Sequence, residues 1–203
     1  IEEANAKDFI LVAPEFSDGD FPGGDGYILG NIFQDGDNPS SATLNPEEDW
    51  AFSVIEPLFD EIKSKTGNLS STYNIFGFSA GAQFAHRFMM FKPNARFDKV
   101  LASAAGWYTV PDDSESFPYG FANSPLENTA PSSIFSKSLI IQIGTLDNDP
   151  NAPSLRRNTT VDQQGNNRYD RAFYMYNTAQ EYAQNLNLEF NWTIVETPNN
   201  DHD

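Results

Sequence analysis

The sequence predicts an α/β domain built on a doubly wound, mostly parallel sheet, and three observations carry that expectation. Short apolar runs suited to buried strands alternate with segments whose apolar residues recur at helical spacing. One strand-to-helix junction carries Gly77-Phe78-Ser79-Ala80-Gly81, a G-x-S-x-G arrangement. No Pro-, Gly- or Ser-rich linker divides the 203 residues, a length that one domain with a full core accommodates.

Taken in order, Phe9-Ile10-Leu11-Val12-Ala13-Pro14 is a continuous apolar run stopped by proline, expected to be a strand buried on both faces. From Glu15 to Asn45 the chain is rich in Gly, Asp, Asn and Pro without periodicity, and a loop of that length is expected to overlie the functional edge of the sheet. Its Asp18-Gly19-Asp20, Asp25-Gly26 and Asp35-Gly36-Asp37 groups read as turns, because none opens a calcium loop with Gly and Glu at the required positions. Asn45-Pro46-Glu47-Glu48 reads as a helix start, with Asn as N-cap, Pro at the first position and Glu able to reach back to the cap. Trp50, Val54, Leu58, Phe59 and Ile62 carry that helix to Thr66-Gly67, where glycine can end it.

Thr72 to Phe76 is β-branched and aromatic, as a buried strand should be, and Ala80 to Phe91 sets Phe84, Phe88 and Phe91 at helical spacing. Val100 to Gly106 predicts the next strand, and Trp107 to Pro131 a second long loop rich in Pro and aromatic residues. Ser138 to Gly144 predicts a further strand. Arg168 to Leu186 reads as a helix through Ala172, Tyr176, Ala179 and Ala183, and Glu189 to Val195 as a last strand.

Composition narrows the partners. The formal net charge of −17, from 29 acidic and 12 basic side chains, would repel phosphate backbones and anionic lipid, so no nucleic acid is expected to bind. The acidity itself reads as a solvated surface. Zero cysteines excludes disulfides, thiolate metal sites and cysteine nucleophiles. The sequence shows neither an eighteen-residue apolar run nor a basic-then-apolar start, so neither a membrane span nor a signal peptide is expected. The first residue is Ile1, and the compartment and oligomeric state stay open. No motif calls for a metal or a cofactor.

Ser79 is the candidate nucleophile, and a serine hydroxyl needs a base, most often an imidazole held by a carboxylate. The chain has two histidines. His86 lies two turns along the same helix, ~10 Å up the axis, and reads as a packed helix residue out of reach of the serine. His202, in the polar segment after the last strand, is the general base by elimination and by order. For the carboxylate, Asp147 just past the Ser138 strand is first choice and Asp149 second; Asp112 and Asp113 are third, and Asp201 is too close in sequence to orient His202 easily. Arg156, Arg168 and Arg171 are scarce cations whose expected partners are neighbouring acids rather than a substrate carboxylate. The aromatic residues of the two long loops, Phe16, Phe21, Tyr27, Phe33, Trp107, Tyr108, Phe117, Tyr119 and Phe121, read equally as a site lining and as core.

Ser79, Asp147 and His202, in that chain order and on these strands, make nearly the whole chain resemble the α/β-hydrolase superfamily. More narrowly, Gly77-Phe78-Ser79-Ala80-Gly81-Ala82-Gln83-Phe84-Ala85-His86-Arg87, Gly106-Trp107-Tyr108, Phe117-Pro118-Tyr119-Gly120 and Gln164-Gly165-Asn166-Asn167-Arg168 are similar to bacterial hydrolases related to poly(3-hydroxybutyrate) depolymerases and feruloyl esterases. The resemblance implies an α/β-hydrolase fold and hydrolysis of a small or polymeric carboxylic ester through an acyl-enzyme. It also implies that the backbone N–H of Ala80 is one oxyanion donor. A peptidase or acyltransferase on the same groups, or a non-catalytic binding protein on the same scaffold, are the alternatives. The substrate-binding residues are not legible.

The front of the chain departs from that pattern. In the superfamily a second oxyanion N–H comes from a loop after an earlier strand, and Gly23-Gly24-Asp25-Gly26 falls one loop too late. Residues 1–203 are therefore expected to form a single hydrolase domain that is N-terminally incomplete, lacking its first strands, and to be poorly soluble and nearly inactive alone.

Overall fold

Strands β1 (Tyr73–Phe78), β2 (Phe97–Ser103), β3 (Ser138–Gly144) and β4 (Trp192–Thr197) lie side by side in that order in the computed structural model, which describes residues 2–202. Every neighbouring pair is parallel, and the register runs Ile75, Val100, Leu139, Trp192 across the sheet. Parallel neighbours need a crossover between them. One is supplied by helix α2 (Ala80–Phe91) between β1 and β2, and another by α3 (Arg168–Asn185) between β3 and β4. The α/β class and the parallel sheet expected from the sequence are both present.

The alternation of side chains along each strand sets one face against the helices. Val100, Ala102, Leu139, Ile141 and Trp192 are buried there, where α2 packs on β1 and β2 and α3 on β3 and β4. The continuous apolar runs predict two buried faces, whereas among the described residues the other face is open, with Phe76 69% and Val195 45% exposed.

The Phe9–Pro14 run is not a strand. It has no regular structure, its apolar side chains from Phe9 to Val12 are exposed, and no described strand pairs with it. An apolar run becomes a strand only where a neighbour completes its hydrogen bonds, and the backbone bond seen here is local, from Phe9 N–H to the Ala4 carbonyl at 3.1 Å.

The helix expected from Asn45 also starts later. Glu47–Asp49 and Ala51–Val54 form two short 3-10 turns, and α1 runs only from Ile55 to Thr66. Asn45 does not cap: its amide donates to the Asn31 carbonyl at 2.9 Å, and extended Trp50 (φ −69°, ψ 138°) separates the turns while its ring packs on Phe91. The other end is as expected, since Gly67 closes α1 in the left-handed region at φ 70°. The remaining strand boundaries shift by a few residues: β1 extends to Phe78, β2 ends at Ser103 and β4 begins at Trp192.

The helical crossovers contribute an aromatic and aliphatic part of the core. Phe52, Phe84, Phe88 and Phe91 pack ring against ring beneath α2. The second long loop folds into the same core, with Trp107, Tyr108, Phe117 and Phe121 buried. Trp107 lies between two guanidinium groups, Arg87 at 4.2 Å and Arg156 at 4.8 Å from its ring centre. Among the described residues no helix is long and apolar enough to cross a membrane.

Candidate active site

Ser79 occupies the corner between β1 and α2 with φ 53° and ψ −112°, a conformation that a side-chain-bearing residue holds only when its surroundings force it. The forcing comes from both neighbours. Its N–H donates to the Ser103 carbonyl at the end of β2 (2.9 Å), and its carbonyl accepts from the Gln83 N–H in the first turn of α2 (3.1 Å). Gly77 makes the corner possible, because a Cβ there would stand 2.0 Å from the Gly81 carbonyl oxygen. Ala80 follows as the first residue of α2, where helical geometry leaves backbone N–H groups without intrahelical partners.

Two further segments converge on the serine. Asp147 follows β3 and His202 follows β4, and the two loops are joined by bonds from the Thr145 N–H to the Thr197 carbonyl (3.1 Å) and from the Asn199 N–H to Thr145 Oγ1 (2.9 Å). His202 Nε2 lies 3.0 Å from Ser79 Oγ, and His202 Nδ1 lies 3.0 Å from Asp147 Oδ2. An ionised carboxylate only accepts, so in the neutral imidazole Nδ1 carries the hydrogen and Nε2 is left to accept from the serine hydroxyl. The ring of Phe78 stacks on the imidazole at 5.2 Å and 26°, a contact that the variable position of the motif does not announce.

Asp147 is 4% exposed and uses both oxygens. Oδ1 accepts from Arg168 Nη1 at 3.3 Å, and the backbone carbonyl accepts from the Tyr169 N–H at 3.0 Å. Tyr108 is also buried nearby; burial first, and the charge of Asp147 second, push its phenol above the usual tyrosine range.

The alternatives from the sequence lie elsewhere. Asp149 is exposed and accepts from the Asn151 N–H, Asp112 accepts from the N–H and hydroxyl of Ser114, and Asp113 accepts from the Tyr182 hydroxyl. His86 is fully buried: its Nδ1 donates to the Ala82 carbonyl (2.9 Å), so its Nε2 accepts from the Thr109 N–H (3.2 Å). Burial, and secondarily the Arg87 charge, hold it well below the usual histidine range, a neutral structural residue as the sequence suggests.

The three scarce cations are each paired with an acid, Arg156 with Asp37, Arg168 with Asp147 and Arg171 with Asp162. Of the loop aromatics, Trp107, Tyr108, Phe117, Phe121 and Phe33 are core. Phe16 and Tyr27 are half-buried instead, packing on Phe84, and the Tyr27 hydroxyl lies 3.6 Å from where a Cβ of Gly81 would stand. The long first loop thus reaches the serine corner. Among the described residues no group of acidic and histidine side chains is placed to hold a metal ion.

No family model and no curated protein matches the sequence. Solved structures do. Poly(aspartic acid) hydrolase-1 from Sphingomonas sp. KT-1 superposes with a TM-score of 0.86 at 36% identity, over 94% of this chain and 70% of that one. LpqC, a poly(3-hydroxybutyrate) depolymerase from Bordetella parapertussis, superposes with a TM-score of 0.89 at 30% identity, over 100% of this chain and 67% of that one.

Proposed function

From the premise that this chain belongs to the α/β-hydrolase superfamily, we propose that it is a serine hydrolase cleaving carboxylic esters through an acyl-enzyme. The observation that carries the reading is the unbroken hydrogen-bonded line from Ser79 Oγ through the His202 imidazole to Asp147, held at a strained strand-to-helix corner. In this reading Ser79 Oγ attacks the ester carbonyl carbon while His202 Nε2 removes its proton. The same nitrogen then returns the proton to the departing alkoxide as the carbon–oxygen bond breaks. Asp147 fixes the tautomer and stabilises the imidazolium. Water repeats the sequence on the acyl-serine and releases the acid. The Ala80 N–H, at the N-terminus of α2, is the donor to the oxyanion.

Charge favours a neutral ester. The chain carries a net −17, and each arginine flanking the site is already bonded to an acid, so a polyanionic substrate would find repulsion rather than a partner. A second reading is hydrolysis of an amide, favoured by the 36% identity to a poly(aspartic acid) hydrolase.

The deciding experiment is labelling of Ser79 by a fluorophosphonate, followed by turnover of esters of graded chain length, a polyester and poly(aspartic acid). We expect labelling that Ser79→Ala abolishes, and turnover of neutral esters. Turnover of poly(aspartic acid) alone would select the amide reading, and failure to label would leave a non-catalytic scaffold.

A further inference from the structure

We propose that Arg168 is a positioning residue of the hydrolytic site, fixing the carboxylate of Asp147 so that its other oxygen meets the His202 imidazole; this rests on the hydrolase reading above. The carboxylate is divided between two partners, Oδ2 toward His202 Nδ1 at 3.0 Å and Oδ1 toward Arg168 Nη1 at 3.3 Å. The side chains of Asp147 and Arg168 are each 3% exposed. At that depth water cannot screen the pair, and Arg168 has no open path to a substrate.

The fold aims this arginine at the acid. Arg168 opens α3, whose N-cap Asn167 accepts from the Asp170 N–H, and the next residue, Tyr169, bonds the Asp147 carbonyl from its own N–H at 3.0 Å. The first turn of α3 therefore grips Asp147 by main chain and side chain together. The rest of the guanidinium has little else to hold: Nη2 donates to the Pro153 carbonyl at 3.3 Å, and Nε is buried without a partner. A buried cation left partly unsatisfied is expensive to keep as a mere structural bridge.

Its effect follows from placement. With Oδ1 held by the guanidinium, the carboxylate is kept from turning about its Cβ–Cγ bond, and Oδ2 stays an acceptor aimed at the imidazole N–H.

Other groups around the line do not substitute for it. Tyr108, in the loop after β2, is a buried phenol held neutral. Arg171, on α3, is committed to the carbonyls of Gly165, Gly106 and Arg156 and to Asp162. Phe78 at the end of β1 is uncharged and Ser79 offers a hydroxyl. Asp201, beside His202, is exposed and adds negative charge rather than positive.

The test compares wild type with Arg168→Gln and Arg168→Lys. Two readouts are needed: kcat and KM on a short-chain ester, and the proton NMR signal of the His202 Nδ1–H, which requires no turnover. With Arg168→Gln we expect kcat to fall about tenfold and the Nδ1–H signal to move upfield or broaden as its bond to Asp147 loosens. KM should be unchanged, and Arg168→Lys, which keeps charge without the planar fork, should fall between the two. If Arg168→Gln does not fold, the same ordering of Arg168→Lys against wild type is read. An unchanged kcat and an unchanged Nδ1–H signal in a folded variant would overturn the role of Arg168, whatever its stability, and so would a change confined to KM. The two failures stay distinct: a wild type unlabelled by fluorophosphonate sinks the hydrolase reading, whereas a His202 Nδ1–H signal indifferent to residue 168 sinks this one.

Discussion

The N–H of Leu146 donates to the carbonyl of Asn200 at 2.8 Å, joining the loop that carries Asp147 to the loop that carries His202. Asp147 and His202, the proposed acid and base, are thereby positioned by each other's backbones, one residue after Leu146 and two residues after Asn200. The approach is close enough that a Cβ on Gly144, at the end of β3, would stand 2.3 Å from that same Asn200 oxygen.

Gly144→Ala should therefore push the His202 loop away without altering Ser79, His202 or Asp147 themselves. A displacement of about 1 Å at a reacting group lowers turnover roughly a hundredfold, and that is the loss we expect in both kcat and the rate of fluorophosphonate labelling. A folded variant labelled at the wild-type rate would show that the loop contact does not align the base.

Ser79→Ala and His202→Ala should each abolish ester turnover, and the double variant should be hardly worse than either, because both groups act in one proton transfer. Asp147→Asn should lower kcat far more than Asp149→Asn, since an amide at 147 favours the wrong imidazole tautomer while residue 149 only caps a turn. Steady-state kinetics on the five variants checks both statements, and the reverse order of the two aspartates would reassign the acid.

His86 makes the fold sensitive to acid. Buried and held neutral, it stays unprotonated in the folded chain at a pH where the unfolded chain takes up a proton, that is, from its ordinary value of 6.5 downward. The unfolded state then binds more protons, so stability is complete above that value and falls with falling pH, by at most about 1.4 kcal/mol per pH unit from this group. Urea unfolding of wild type and His86→Gln at about pH 7 and about pH 5 tests it: the variant should be less stable at the higher pH, and the gap should narrow at the lower. A gap independent of pH would remove His86 as the source.

The sequence is most legible where structure is decided locally. The serine corner can be read because Gly77, Ser79 and Gly81 fall within five consecutive residues and are flanked by a strand and a helix that declare themselves by periodicity. The meeting of Ser79 with His202 can be read from scarcity, there being two histidines and one out of reach. What is not legible depends on partners distant in sequence. Phe9–Pro14 has the composition of a strand and no described strand beside it, and Asn45 has the features of a cap but spends its amide on Asn31. The bond from Arg168 to Asp147 is likewise set by how α3 docks against β3, although pairing of this arginine with an acid is foreseeable.

The two glycines of the serine corner are equivalent in the motif and unequal in the structure. A Cβ on Gly77 would lie 2.0 Å from the Gly81 oxygen and 2.3 Å from its carbonyl carbon, so strand and helix cannot close around Ser79. A Cβ on Gly81 meets only the Tyr27 hydroxyl, at an ordinary contact distance of 3.6 Å, and its φ lies outside the left-handed region. Gly77→Ala should thus open the corner, relax the strained backbone of Ser79 and abolish fluorophosphonate labelling, with a loss of several kcal/mol of stability typical of overpacking against backbone, on the order of 3. Gly81→Ala should fold and label, and alanine's better helix propensity adds up to about 1 kcal/mol in α2. Thermal melts and labelling rates on the two variants make the comparison. Equal damage from both would mean that the Gly81 position faces the substrate, through the gap that Tyr27 borders, and is kept small for the ligand rather than for the fold.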